Sequence, residues 1–246
     1  MTPPIVEILP NKTALVQRAL HLVIDQIRRS VDRQGFCTLA LAGGGTPKPL
    51  YAALAEESLP WQNLYVFWGD ERYVPPDHPD SNAGMARQVW LDRVPIPASQ
   101  IFLTPTQATP PSLAAQTYEA SLRDLFSRLQ PDSRDAIPQF DLVLLGMGDD
   151  GHTASLFPHT AALTVSDRLV TVGYRGEDPR ITFTLPLINH SRQVMFLAAG
   201  ASKQAALQQV FRADGDDLAY PSRLVRPLGD LYWLLDEEAT TGVNLP

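Results

Sequence analysis

Cysteine is almost missing from this 246-residue chain, Cys37 being the only one. A single thiol forms no internal disulfide, which points to a reducing compartment, the cytoplasm. It sits in the apolar run Gly35-Phe36-Cys37-Thr38-Leu39-Ala40-Leu41 with no activating base beside it, so it reads as packing and not as a nucleophile. No apolar stretch approaches the roughly 20 residues of a membrane span. The start, Met1-Thr2-Pro3-Pro4-Ile5, lacks the basic and apolar regions of a signal peptide. Basic charge is scarce too: 20 Lys and Arg against 27 Asp and Glu give a net charge of -7. That excludes a general nucleic-acid binder, because a polyanion would be repelled. A small anion remains compatible if a few cations are focused in a cleft. The histidines follow no zinc-ligand spacing, and there is neither a Gly-x-Ser-x-Gly elbow nor a Gly-Lys-Ser/Thr phosphate loop.

What is present is a hydrophobic fraction of 44% with 19% charge, enough to build a real core. Residues 5–9 read as a strand. Asn11 then caps a helix whose apolar positions Val16, Leu20, Val23, Ile27 and Val31 recur at helical spacing, and Gly35 closes it. Residues 38–42, 64–68, 140–145, 169–172, 181–184, 194–198 and 231–235 read as further strands. Helices follow Pro47, start at Ser112 with Tyr118, Leu122, Leu125, Phe126 and Leu129 on one face, and span 202–211. Residues 70–81 carry Pro75, Pro76 and Pro79 and read as a long loop. The proline-rich stretch 104–111 reads as a surface connection. The alternation predicts an α/β fold: a mostly parallel, Rossmann-like doubly wound sheet with helices on both faces, in a single domain over residues 1–246. Ligands of such sheets bind beyond the carboxyl ends of the strands. Glycine- or acid-rich segments follow Ala42, Trp68 and Leu145 at such ends.

The first of these is Gly43-Gly44-Gly45-Thr46-Pro47. Its backbone N–H groups and the helix N-terminus after it suit an anion, although a tight turn that needs glycine for its angles alone would look the same. Asp70-Glu71-Arg72, taken by itself, reads as a solvated charge cluster, and Asn82 as a helix cap. Lys203 opens a helix over the same sheet edge, within reach of a phosphate, though a lone surface lysine often does nothing specific. Gly146-Met147-Gly148-Asp149-Asp150-Gly151-His152 matches a dinucleotide fingerprint only superficially. Two aspartates would face the pyrophosphate, Pro158 stops any helix beginning there, and no acid closes the next strand at ribose spacing. The segment offers instead a histidine flanked by carboxylates, the composition of a general base with an orienting partner. His21, His78, His159 and His190 stand in no comparable setting.

These segments, in this order and over nearly the whole chain, resemble the 6-phosphogluconolactonase family. The anchors are Leu41-Ala42-Gly43-Gly44-Gly45-Thr46-Pro47, Trp68-Gly69-Asp70-Glu71-Arg72, Asp80-Ser81-Asn82, the block from Leu145 through Pro158, and Gly200-Ala201-Ser202-Lys203. The block around His152 is the most specific. Two departures are that the family often has Ser at Gly45, and that Tyr220-Pro221-Ser222-Arg223 matches only loosely and receives no role. The resemblance implies hydrolysis of 6-phospho-D-glucono-1,5-lactone in the oxidative pentose phosphate pathway. It implies His152 as the base on water with Asp150 beside it, Arg72 and Lys203 on the substrate's charged groups, and Gly44, Gly45 and Thr46 at the phosphate. No metal or organic cofactor is expected. The expected partner is a small phosphorylated sugar lactone, with no nucleic acid and no membrane, acting on a monomer or weak homo-oligomer. Glucosamine-6-phosphate deaminases resemble the family but use a glutamate soon after the histidine, and none stands between Thr153 and Pro158. A sugar-phosphate sensor on the same fold would carry a DNA-binding domain, for which the core leaves little chain.

Overall fold

In the computed structural model, which describes residues 3–131 and 137–245, the chain opens with β1 (Ile5–Leu9), α1 (Lys12–Gln34), β2 (Cys37–Leu41) and α2 (Pro47–Leu54). It continues through β3 (Leu64–Trp68), β4 (Asp70–Arg72), α3 (Asn82–Val89), α4 (Pro111–Leu129) and β5 (Leu142–Gly146). Then come β6 (Val170–Arg175), β7 (Asp178–Phe183), α5 (Leu185–Asn189), β8 (Gln193–Ala198), α6 (Gln204–Val210), β9 (Asp230–Asp236) and α7 (Glu237–Thr240). The boundaries of α1 follow from its ends. Asn11 Oδ1 accepts from the Ala14 N–H at 3.0 Å, and Gly35, at φ 84°, supplies the left-handed cap that donates to Val31.

Six strands form one parallel sheet in the order β1-β9-β8-β5-β2-β3. Alternate side chains of each strand enter different cores, as the two-residue period requires. In β3, Leu64, Val66 and Trp68 join α1, α2 and α3 on one face, while Tyr65 and Phe67 join α4 on the other. In β8, Met195 and Leu197 point to the first core and Val194, Phe196 and Ala198 to the second, which also holds α5 and α6. Each large apolar side chain so enclosed stabilises the fold by roughly 1.5–3 kcal/mol. This is the doubly wound arrangement expected from the sequence.

A second, three-stranded antiparallel sheet, β4-β7-β6, departs from it. The strands expected at 169–172 and 181–184 lie here and not in the parallel sheet, and the expected loop 70–81 begins as β4. Asp70 and Glu71 are not a solvated cluster either, with exposures of 8% and 3%. The small sheet is two-faced. Glu71, Ile181, Phe183 and Val170 lie on one side, and the three apolar members enter the second core. Asp70, Arg72, Arg180, Thr182, Thr171, Gly173, Arg175 and Asp178 lie on the other, which meets Ser155. Ser155 fastens that contact: its hydroxyl donates to Asp70 at 2.7 Å and its N–H to Thr182 Oγ1 at 3.2 Å. Gly173 is required there because a Cβ would lie 2.1 Å from the Ser155 carbonyl oxygen.

Candidate active site

The carboxyl ends of β2, β3 and β5 meet under the second sheet at a pocket of about 230 Å³. Of the residues singled out in the sequence, Gly44, Arg72 and His152 line it, whereas Gly45, Thr46, Asp150 and Lys203 are not among its lining residues. Asp70, Arg175 and Arg180 line it as well, and the two hairpin arginines carry no motif or spacing that marks them in the sequence.

His152 is placed by a turn that starts where β5 ends. The Gly148 N–H donates to the His152 carbonyl at 2.8 Å and the Gly151 N–H to Gly148 at 3.1 Å, with Gly151 at φ 77°. Asp150 closes the arrangement. Its Oδ1 accepts from the His152 backbone N–H at 3.1 Å and lies 2.5 Å from the ring Nδ1. Burial acts to raise the Asp150 pKa, but the hydrogen bonds from the His152 backbone and ring prevail and hold it below the ordinary carboxylate value. With Asp150 ionised, Nδ1 carries the proton and the Nε2 lone pair is left free. The ring leans on Phe157, centroid to centroid 4.6 Å.

The Tyr220–Arg223 segment, given no role in the sequence, supports this turn from outside. Both the Ser222 N–H and its hydroxyl donate to the Gly151 carbonyl, at 2.9 and 2.8 Å. Tyr220 lies so close that a Cβ on Gly151 would meet its ring at 2.7 Å.

The glycine loop is held at its base by Tyr51, whose hydroxyl accepts from the Ala42 N–H at 3.0 Å and donates to the Ala42 carbonyl at 2.8 Å. Asn82 fills the place a side chain on Gly43 would need, with Oδ1 only 1.8 Å from that Cβ, and its Nδ2 donates to the Asp70 carbonyl at 2.9 Å. Thr46 is the N-cap residue of α2, and Lys12 Nζ donates to the Gly45 carbonyl at 3.1 Å. Glu71 is structural. Its carboxylate accepts from the Asn82 and Ala83 N–H groups, each at 2.8 Å, and from the Ser81 hydroxyl at 3.0 Å, tying β4 to the start of α3. Lys203 is engaged with Asp149, which also accepts from Ser202 Oγ at 3.1 Å. The Lys203 hydrogen bond lowers the Asp149 pKa.

A histidine in contact with a carboxylate, at the carboxyl edge of a doubly wound sheet and among arginines, is the kind of site a sugar-phosphate enzyme presents. Residues 10–233 match the family of glucosamine-6-phosphate isomerases/6-phosphogluconolactonase, and the chain belongs to that family. It is similar to a 6-phosphogluconolactonase of Nostoc sp., 55% identical over 95% of this chain and 96% of the relative. A second 6-phosphogluconolactonase, of Synechocystis sp., is 54% identical over 98% of each chain. The solved 6-phosphogluconolactonase of Trypanosoma brucei superposes with a TM-score of 0.85 at 32% identity, covering 99% of this chain and 100% of that one. No helix among the described residues is long and apolar enough to cross a membrane.

Proposed function

We propose that the chain hydrolyses 6-phospho-D-glucono-1,5-lactone to 6-phospho-D-gluconate in the oxidative pentose phosphate pathway, with His152 as the general base. The observation that carries this reading is the His152–Asp150 pair facing a cationic pocket. Nε2 takes a proton from water as the oxygen attacks C1, and Asp150 stabilises the imidazolium that results. The tetrahedral oxyanion collapses with cleavage of the bond from C1 to the ring oxygen. That oxygen leaves as an alcohol, taking up a proton, and the new carboxylic acid ionises. A lactone is an activated ester, so base catalysis of about 10²–10⁴-fold together with positioning is sufficient, and the chemistry calls for no metal or organic cofactor. Arg72 and Lys203 bind the charged groups of the substrate. The Gly44-Gly45-Thr46 turn offers its N–H groups at the start of α2 to the phosphate.

The same reading makes residues 1–246 one domain, since β1 and β9, from opposite ends of the chain, pair in one sheet. It places a monomer or weak homo-oligomer in the cytoplasm, free of nucleic-acid and membrane partners. The buried thiol of Cys37 and the net charge of -7 accord with this. The test is hydrolysis of lactone generated in the cuvette by a dehydrogenase, with chelator present, beside an assay for ammonia from glucosamine-6-phosphate. Lactone consumption above the spontaneous rate and no ammonia are expected. Ammonia release rivalling hydrolysis overturns the assignment.

A further inference from the structure

Ser222 meets the His152 turn from outside the pocket, and it does so at a single atom. It is buried and is not among the residues that line the pocket. Its N–H and its hydroxyl both donate to the Gly151 carbonyl, at 2.9 and 2.8 Å, which takes up both lone pairs of that oxygen. The same peptide unit carries the His152 N–H at its other end, and that N–H donates to Asp150 Oδ1 at 3.1 Å. The Gly151–His152 peptide is therefore held from two sides, by Ser222 on its oxygen and by Asp150 on its nitrogen. A peptide unit is planar, so fixing the carbonyl fixes the direction in which the N–H points. Gly151 calls for such a restraint, because at φ 77° it has no side chain of its own to limit its backbone. Burial acts to raise the Asp150 pKa, and the His152 N–H is the foremost of the hydrogen bonds that outweigh it.

Ser222 is itself anchored by its neighbour. Arg223 donates from Nη1 to the carbonyls of Gln209, Val210 and Arg212, at 2.8, 2.7 and 2.6 Å, oxygens left open at and just beyond the end of α6. Its Nε donates to Asp217 at 2.7 Å. The two donors of Ser222 thus come from a segment locked onto α6, the helix that starts beside Lys203. We propose that Ser222 is a positioning residue of the lactonase site: it orients the Gly151–His152 peptide and through it sets Asp150 against the His152 ring. Filling both lone pairs of the carbonyl also polarises the peptide, which strengthens its N–H as a donor to Asp150. Removing the hydroxyl leaves the Ser222 N–H as the remaining donor and loosens the peptide. Asp150 then loses part of the contact that keeps it in line with Nδ1. The loss falls on proton transfer and not on the hold on substrate, because Ser222 lies outside the pocket. The inference rests on the reading of His152 as the base and adds the device that holds that base in line.

The experiment compares wild type, Ser222→Ala and Ser222→Thr, each checked by thermal melting, for kcat and KM on freshly generated 6-phosphogluconolactone. On the same proteins, calorimetry measures 6-phosphogluconate binding and NMR records the His152 amide proton without ligand. Ser222→Ala is expected to lower kcat by about 3- to 10-fold, as the loss of one hydrogen bond implies, with KM and product affinity kept. Its His152 amide proton should move upfield, because the hydrogen bond to Asp150 is weaker. Ser222→Thr keeps the hydroxyl and should restore both. Unchanged kcat in Ser222→Ala would overturn the proposal. So would a fall in kcat with the His152 amide unmoved, since the effect would then bypass the peptide, and so would a folded threonine variant that restores neither. Equal losses of kcat and product affinity would assign Ser222 to the fold and overturn it as well. Should Ser222→Ala not fold, Ser222→Cys, whose thiol is a weak donor, decides by the same comparison. A wild type inactive on the lactone would sink the lactonase reading, and the amide resonance would still judge whether Ser222 orients the peptide.

Discussion

Gly148 shows how tightly His152 is fitted. A Cβ added to it would lie 2.0 Å from His152 Nδ1 and 2.6 Å from Asp150 Oδ1, so no side chain fits without moving the ring off its carboxylate. Gly148→Ala is therefore predicted to lower kcat by much of the roughly 10²–10⁴-fold that general-base catalysis supplies. Its melting temperature should stay near that of wild type, because the clash is with side-chain atoms on a partly exposed turn. A folded variant with unchanged kcat would mean that the Asp150–His152 contact is dispensable. At this scale the sequence is informative where chemistry and spacing coincide: His152 between carboxylates at a strand end could be picked out directly. The need for glycine at 148 could not, since it arises only when the turn folds His152 back over its own start. Arg175 and Arg180 were equally hidden, because nothing local separates them from surface arginines until the hairpin turns them toward the pocket.

The two sheets differ in how far the sequence exposes them. Strands of the parallel sheet are short apolar runs between helices with helical periodicity, so β2, β3, β5, β8 and β9 were legible. Strand β4 is three charged residues, a composition poor in strand propensity, and its ladder partner β7 lies more than a hundred residues later. Helix α3 was signalled only by Asn82, read as its cap; the cap is Ser81, whose hydroxyl accepts from the Gly84 N–H, and part of the remaining N-terminal capping comes from Glu71 on another element. Glu71→Gln keeps the shape but places an amide NH₂ against backbone or hydroxyl donors, and it should destabilise the fold by about 1–3 kcal/mol. Burial raises the Glu71 pKa against the pull of the Ala83, Asn82 and Arg72 N–H groups. A carboxyl raised in the folded state stabilises most below its unfolded value, and that contribution is lost as pH rises through the folded one. The advantage of wild type over Glu71→Gln should therefore be largest in acid and narrow toward neutrality. Melting curves of both proteins across that range check it, and an advantage that widens with pH would contradict the stated role of burial.

Over the whole molecule, the doubly wound sheet brings the ends of β2, β3 and β5 to one edge, and the small sheet closes over them with its charged face inward. The first half of that arrangement follows from alternation of strands and helices and was legible. The second depends on pairing between distant segments, so the roof of the pocket and its arginines came only with the structure. The pocket is thus assembled from separated stretches of the chain, and in the proposed reading the His152 turn supplies the chemistry while the others hold the substrate against it. The central claim is that His152 is the base of a lactonase, and one measurement reaches it most directly. Wild type and His152→Ala are followed on freshly generated 6-phosphogluconolactone, with 6-phosphogluconate binding measured on the same preparations. The account predicts a fall in kcat of about 10²–10⁴-fold, toward the spontaneous rate, with product affinity largely kept. A His152→Ala protein that turns over lactone at the wild-type kcat would contradict it.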